Sequence, residues 1–206
     1  MHDEMGSKLT KISFLSERVA VDVESGQPFS ERINSIAQTS RELLKTMDEI
    51  VWVVNPRNDT LENLASYLAH YTVEYFQNTS VESEVRLPKE VPHYPLSSEA
   101  RHNLFLAFEE ALNNVLKHSA ATRVRVEMNT DSREFELKVV DNGKGFGSVS
   151  PSVGSDQSRG RGGNGLRNMR QRMIAIGGEC QVRSRPSEGT VVTMRIPLSS
   201  KTAPKT

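Results

Sequence analysis

A single cysteine, Cys180, stands in 206 residues, so no internal disulfide framework can brace the fold. That usage fits a reducing compartment, and with no obvious base near it in sequence the thiol reads as inert. No apolar run approaches the roughly 20 residues that cross a bilayer, and no signal-peptide pattern opens the chain. The chain is therefore expected in the cytoplasm and without membrane contact. Any membrane anchor would belong to a longer parent of which it is the cytoplasmic portion. G-K-[ST] is missing, which excludes a P-loop. His70, His93 and His102 form no metal-ligand spacing. An excess of one charge is missing too: 26 basic and 26 acidic residues give a net charge of zero, which argues against nucleic acid as a partner.

With 36% hydrophobic and 25% charged residues, the composition is that of an ordinary soluble protein with room for one sizeable domain or two small ones. The charge is unevenly spread. Residues 1–100 hold 16 acidic and 9 basic side chains, which leaves 10 and 17 for the rest. An acidic half followed by a basic half points to two parts with different tasks, the second suited to an anion such as a nucleotide.

The stretch that organises the chain is Leu104 to Ser119, LFLAFEEALNNVLKHS. Leu104, Phe108, Ala111, Leu112 and Val115 fall on one helical stripe that would pack on a core. Glu110, Asn114 and Lys117 recur at i, i+4 and i+7 on the opposite face, with His118 at its edge. Two asparagines within a strong helix former point either to a solvated polar face or to side chains kept for chemistry.

Before it, Met5, Leu9, Ile12, Leu15 and Val19 make one apolar stripe, and Ser25-Gly26-Gln27-Pro28 breaks the helix. Ile33, Ala37, Ser40, Leu44, Met47, Val51 and Val54 then follow heptad spacing, with Ile36, Leu43 and Ile50 widening the stripe. Two short helices cannot bury so much apolar surface alone, so residues 1–55 are expected to form a hairpin that dimerises into a four-helix bundle. The alternative is a hairpin packed on its own C-terminal domain. Asn55-Pro56 ends the second helix, and Asp59 with Glu62 offers a capping pair for a helix running to about Gln77.

From residue 56 to about 198 the expected order is helix, strand, helix, strands, helix, strands. The strands are Val81–Leu87, Arg123–Met128, Glu134–Val140, Glu179–Arg185 and Thr190–Pro197, and a helix runs from Leu166 to Ile176. That order predicts an α+β chain whose second domain is a two-layer α/β sandwich with a mixed sheet. Residues 147–163 are rich in Gly and Ser, as a lid or a disordered insert would be. Residues 199–206 read as a disordered tail.

Two flanking motifs carry chemistry. In Asp141-Asn142-Gly143-Lys144-Gly145-Phe146, a carboxylate at a strand end can accept a hydrogen bond from an exocyclic amine. Gly143 and Gly145 let the backbone approach a flat ring, although Asp-Asn-Gly is also a turn signal. Gly163-Asn164-Gly165 opens a helix whose free N–H groups can hold phosphate.

Together, Glu110-x-x-x-Asn114, Asp141-x-Gly143-x-Gly145, Gly163-x-Gly165-Leu166 and Gly189-Thr190 resemble the ATP-binding boxes of the GHKL superfamily. EEALNNVLKHS is similar to the N-box of sensor histidine kinases that work with LuxR-type response regulators. His2-Asp3-Glu4-Met5-Gly6-Ser7-Lys8-Leu9-Thr10 resembles their phosphoacceptor box, though only Met1 precedes the His, as in an N-terminally truncated hairpin. The resemblance implies a Bergerat-type ATP-binding fold, ATP and Mg²⁺ as cofactors, a homodimer through the N-terminal helices, and a LuxR-type regulator as partner.

It also implies roles. Asn114 would hold Mg²⁺ and Glu110 would polarise a water beside it. Lys117 would meet phosphate, Asp141 would read the adenine amine with Thr190 in support, and Gly163, Gly165 and the Leu166 helix would carry the phosphates. His2 would be the nucleophile, with Asp3 orienting its imidazole and taking its proton. Relatives with phosphatase activity often place Gln where this chain has Ser7. The expected activity is an ATP-dependent protein histidine kinase that autophosphorylates on His2 and passes the phosphoryl group to a regulator aspartate. The alternatives are a non-catalytic nucleotide-binding dimerisation module and a serine kinase of the anti-sigma type.

Overall fold

The computed structural model describes residues 2–55, 59–131, 133–147 and 163–198. The Gly/Ser-rich stretch at 148–162 and the tail at 199–206 lie outside the described residues, as do residues 56–58. The chain divides into two compact units, Met1–Asn55 and Pro56–Thr206.

The first unit is a helical hairpin of α1 (His2–Ser25) and α2 (Ser30–Val54). Ile12, Leu15, Val19, Ile36 and Leu43 are half-buried between the helices. Asp22 is buried near the turn, where Arg32 pairs with it and the Gln27 N–H donates to its carbonyl at 2.8 Å. Much of the heptad stripe faces outward: Ile33, Leu44, Met47 and Val51 are all exposed.

In the second unit, α3 (Leu61–Phe76), α4 (Ser98–Asn114) and α5 (Gly163–Ala175) cover one face of a five-stranded sheet. Its strands are β1 (Glu82–Arg86), β2 (Arg123–Thr130), β3 (Glu134–Asp141), β4 (Glu179–Arg185) and β5 (Gly189–Pro197), in the order β1-β2-β3-β5-β4. β1 and β2 run parallel and the other pairs antiparallel. The sheet is mixed because α4 is the crossover between β1 and β2, which a parallel pair requires.

The period-two pattern sorts the strands into two faces. Val124, Val126, Phe135, Leu137, Val139 and Met194 point at the helices and are fully buried. They meet Leu64, Leu68, Leu104, Phe105, Phe108 and Leu112 from α3 and α4, and Met169 and Met173 from α5, all buried. The other face is a ladder of ion pairs, Arg125 with Glu84 at 2.9 Å and Arg195 with Glu136 at 2.7 Å. Hydrogen bonds from Arg125 and Arg86 hold the Glu84 carboxyl below the usual range. Burial pushes the Cys180 thiol up to about 11, which keeps it protonated and inert.

Two local expectations change. The cap of α3 is Thr60, whose hydroxyl accepts from the Asn63 N–H at 3.3 Å, and not Asp59. Thr60 is the last extended residue because it bridges to Pro95 while the Leu61 N–H donates to Tyr94 at 2.8 Å. The organising helix also does not continue as α-helix to Ser119. It ends at Asn114 and its last five residues, Val115–Ser119, form a π-helical turn that closes at a left-handed Ala120.

Candidate functional site

Each side chain of the Leu104–Ser119 stretch takes its place from the start of α4. The Ser97 hydroxyl accepts from the Ala100 N–H at 3.1 Å, closing the first turn. Arg101, 1% exposed, donates to the Leu96 carbonyl at 3.1 Å and pins the preceding loop to the helix. With its apolar stripe in the core, α4 turns Glu110 and Asn114 outward, both half-buried, and the Asn114 amide donates to Glu110 at 3.4 Å. The π-helical turn then leaves Lys117 and His118 exposed. Such widened turns recur where a helix end is shaped for a site.

Gly165 of α5 stands against Glu110, where a β-carbon would collide with the carboxylate. Glu110 is therefore next to a helix N-terminus and its free N–H groups. Behind it, a polar cavity of about 310 Å³ is lined by Tyr75, Glu109, Glu110, Asn113, Asn168 and Arg172. Burial, and then the charges of Glu109 and Glu110, push the Tyr75 phenol up.

Asp141 ends β3 opposite Thr190 of β5. It is buried, and burial raises its pKa against hydrogen bonds from the N–H groups of Gly143 and Thr190 and from the Thr190 hydroxyl, which pull it down. The Gly143 N–H lies 2.8 Å from Oδ1. The loop beyond is tied at both ends. The Lys144 N–H donates to the Ser119 carbonyl at 2.8 Å, and the Phe146 N–H donates to the Ser184 hydroxyl at 2.9 Å. Ser184 also lies 3.0 Å from the Thr190 hydroxyl. Gly145, at φ +56°, passes so close to the Arg185 carbonyl that only a residue without a side chain fits.

The structure thus brings Glu110, Asn114 and Gly165 together, and Asp141, Gly143, Gly145 and Thr190 together. Ser119 joins the two groups through Lys144 and through close contact with Gly143. Gly163 opens α5, and Leu166 is half-buried on its first turn. Lys117 projects from the π-helical turn without an ion pair among the described residues. His2 and Asp3 stand in the first turn of α1, in the other unit, and their side chains lie outside what is described. Sequence reading missed Ser119 as a tether and Ser184 altogether. Ser119 closes the stretch already singled out, but nothing local marks a serine in an edge strand as the anchor of a loop 38 residues earlier.

Among the described residues no three His, Cys, Asp or Glu side chains gather as a protein-only metal site. An asparagine amide oxygen beside a carboxylate instead fits a hard divalent cation that keeps most of its waters and takes further ligands from phosphate.

Residues 99–200 match the family described as Histidine kinase-, DNA gyrase B-, and HSP90-like ATPase. The chain is 26% identical over 199 residues to the sensor histidine kinase LiaS of Bacillus subtilis (strain 168), covering 96% of this chain and 52% of that protein. It is 31% identical over 132 residues to the sensor protein VraS of Staphylococcus saprophyticus, covering 62% of this chain and 36% of that one. The chain thus spans about half or less of the length of these relatives. Among solved structures, the histidine kinase domain of the Erythrobacter litoralis EL346 blue-light activated kinase has the same fold, with a TM-score of 0.58 at 18% identity over 97% of this chain and 96% of that one. Residues 99–200 therefore form a domain of the histidine kinase-, DNA gyrase B- and HSP90-like ATPase family, and the chain as a whole is similar to the catalytic core of sensor histidine kinases.

Proposed function

We propose that this chain binds Mg-ATP in the Pro56–Thr206 unit, phosphorylates His2 of the hairpin, and passes the phosphoryl group to an aspartate of a LuxR-type response regulator. The observation that carries this reading is the placement of Glu110 against the N-terminus of α5 through Gly165, with Asn114 bonded to it and with buried Asp141 held by Thr190. Asp141 accepts from the adenine amine, and its own bonds to Gly143 and Thr190 orient it for that. Gly143 and Gly145 let the loop backbone lie against the ring.

Asn114 would hold Mg²⁺, and Glu110 would polarise a water beside it. The metal supplies neutralisation of phosphate charge. The N–H groups at Gly163 and Gly165 would receive phosphate oxygens, and Lys117 would add a cation. At the acceptor, the His2 imidazole would attack the γ-phosphorus through one ring nitrogen as its bond to the bridging oxygen breaks and ADP leaves, and Asp3 would take the proton from the other ring nitrogen.

The outward heptad of α2 supports a homodimer through the hairpins, since Leu44 and Val51 are 62% and 60% exposed in the single chain. No helix among the described residues is long and apolar enough to cross a membrane. The chain works in the cytoplasm.

Incubation with γ-labelled ATP and Mg²⁺ tests the reading. Acid-labile, base-stable label is expected on wild type and absent from His2→Ala. ATP binding with no label on wild type would replace it with a non-catalytic nucleotide-binding dimerisation module. Label on a serine would replace it with an anti-sigma-type kinase.

A further inference from the structure

The sheet ends on β4, which pairs only with β5 among the described residues. Such an edge presents backbone N–H and C=O groups to any strand that can lie beside it. Next to it is a cavity of about 480 Å³ whose apolar lining is Leu166 of α5, Val182 of β4, Val191 of β5 and Phe146. Its rim carries Arg170 from α5 and Arg183 and Arg185 from β4, against one acid, Glu188, which accepts from Arg185 at 3.3 Å.

Neither Arg170 nor Arg183 has an ion-pair partner among the described residues. The whole of α5 holds three arginines and no acidic residue. A second copy of the same edge would set arginine beside arginine, which is unfavourable across paired strands. An acidic strand would meet the opposite balance.

We propose that the groove between α5 and the free edge of β4 receives an extended acidic segment of a partner protein. The segment adds a strand to β4. One set of its alternating side chains lies on the α5 side of the sheet beside Val182 and Leu166, the other set, its carboxylates, lies beside Arg183 on the opposite face, and Arg170 across the groove adds to the positive field. The groove adjoins the candidate nucleotide site. Ser184 at the end of β4 holds the Phe146 N–H, and the turn after β4 holds Lys144 through the Ser187 N–H at 2.7 Å. A strand docked on β4 therefore bears on the Asp141–Phe146 loop. The docking itself does not rest on the kinase reading.

The test uses the full chain without nucleotide and a fluorescein-labelled peptide alternating valine with aspartate, read by fluorescence anisotropy. Saturable binding that weakens with salt is expected, with no binding of the same peptide carrying lysine for aspartate. Arg170→Gln with Arg183→Gln, and separately Val182→Lys, should each weaken binding about tenfold. Both variants should keep the wild-type melting temperature and Mg-ATP affinity, so failure of docking and failure of the nucleotide site are read apart. Absence of binding by folded wild type, equal binding of the lysine peptide, or variants that bind like wild type would each overturn the proposal. Equal competition by a single-stranded oligonucleotide would also overturn it, by revealing a general anion surface.

Discussion

Asp141 is under two opposed demands. Burial disfavours its charge, whereas three donors from Gly143 and Thr190 favour it, and burial wins, so its pKa lies above the ordinary 3.8. The folded state then holds the proton more tightly than the unfolded one. Its contribution to stability falls as pH rises from the unfolded to the folded pKa and is constant above. Asp141→Asn removes that cost and keeps one acceptor. The variant is expected to melt no lower than wild type at neutral pH by calorimetry, while Mg-ATP binding is lost. For the same reason wild-type ATP affinity should fall on acidification with a midpoint above 3.8, a profile that an unshifted carboxylate would not show. Gly165 offers a second test at this scale. A methyl there meets only the far end of the Glu110 side chain, which can swing away. Gly165→Ala should leave melting close to wild type and cut phosphoryl transfer by roughly 10²-fold or more, the range typical of a displaced catalytic carboxylate. Unchanged single-turnover transfer would remove Glu110 from the reaction.

At the scale of elements, α4 is the member on which the site depends. Ser97 caps it and Arg101 holds its entry. Ser97→Ala should cost about 1 kcal/mol in denaturant unfolding of the second unit. The helix was legible because an apolar stripe of period 3.6 persists through it; its last turn was not. The π-helical turn forms where the Ser119 hydroxyl donates to the Val115 carbonyl at 2.6 Å and accepts from the Ala121 N–H at 2.9 Å. Its carbonyl meanwhile takes the Lys144 N–H. That last partner is distant in sequence and invisible to a periodicity argument. The Thr60 cap was missed for a like reason, since its extended backbone is set by Tyr94 and Pro95. In the hairpin, Leu44→Glu with Val51→Glu should turn a dimer into a monomer by sedimentation equilibrium without unfolding α2, because both side chains are exposed within one chain.

At the scale of the molecule, the two units do not follow the charge division of the sequence, because residues 56–100 belong to its acidic first hundred and yet lie in the second unit. The Pro56–Thr206 unit holds the sheet, its helices and a core that includes Phe105, Phe108 and Phe135. Produced alone, it should unfold cooperatively, sediment as a monomer and bind Mg-ATP as the full chain does. Loss of ATP binding in that folded unit would mean that the hairpin completes the site.

Element types and, in the second unit, the face each element buries could be read from the chain, because periodicity and spacing are local and survive in one dimension. The strand order β1-β2-β3-β5-β4, the meeting of Glu110 with Gly165 and the anchoring of the Phe146 loop by Ser184 could not. Those depend on contacts between residues tens of positions apart, and such contacts are selected only when the whole core closes and each buried polar group must find a partner.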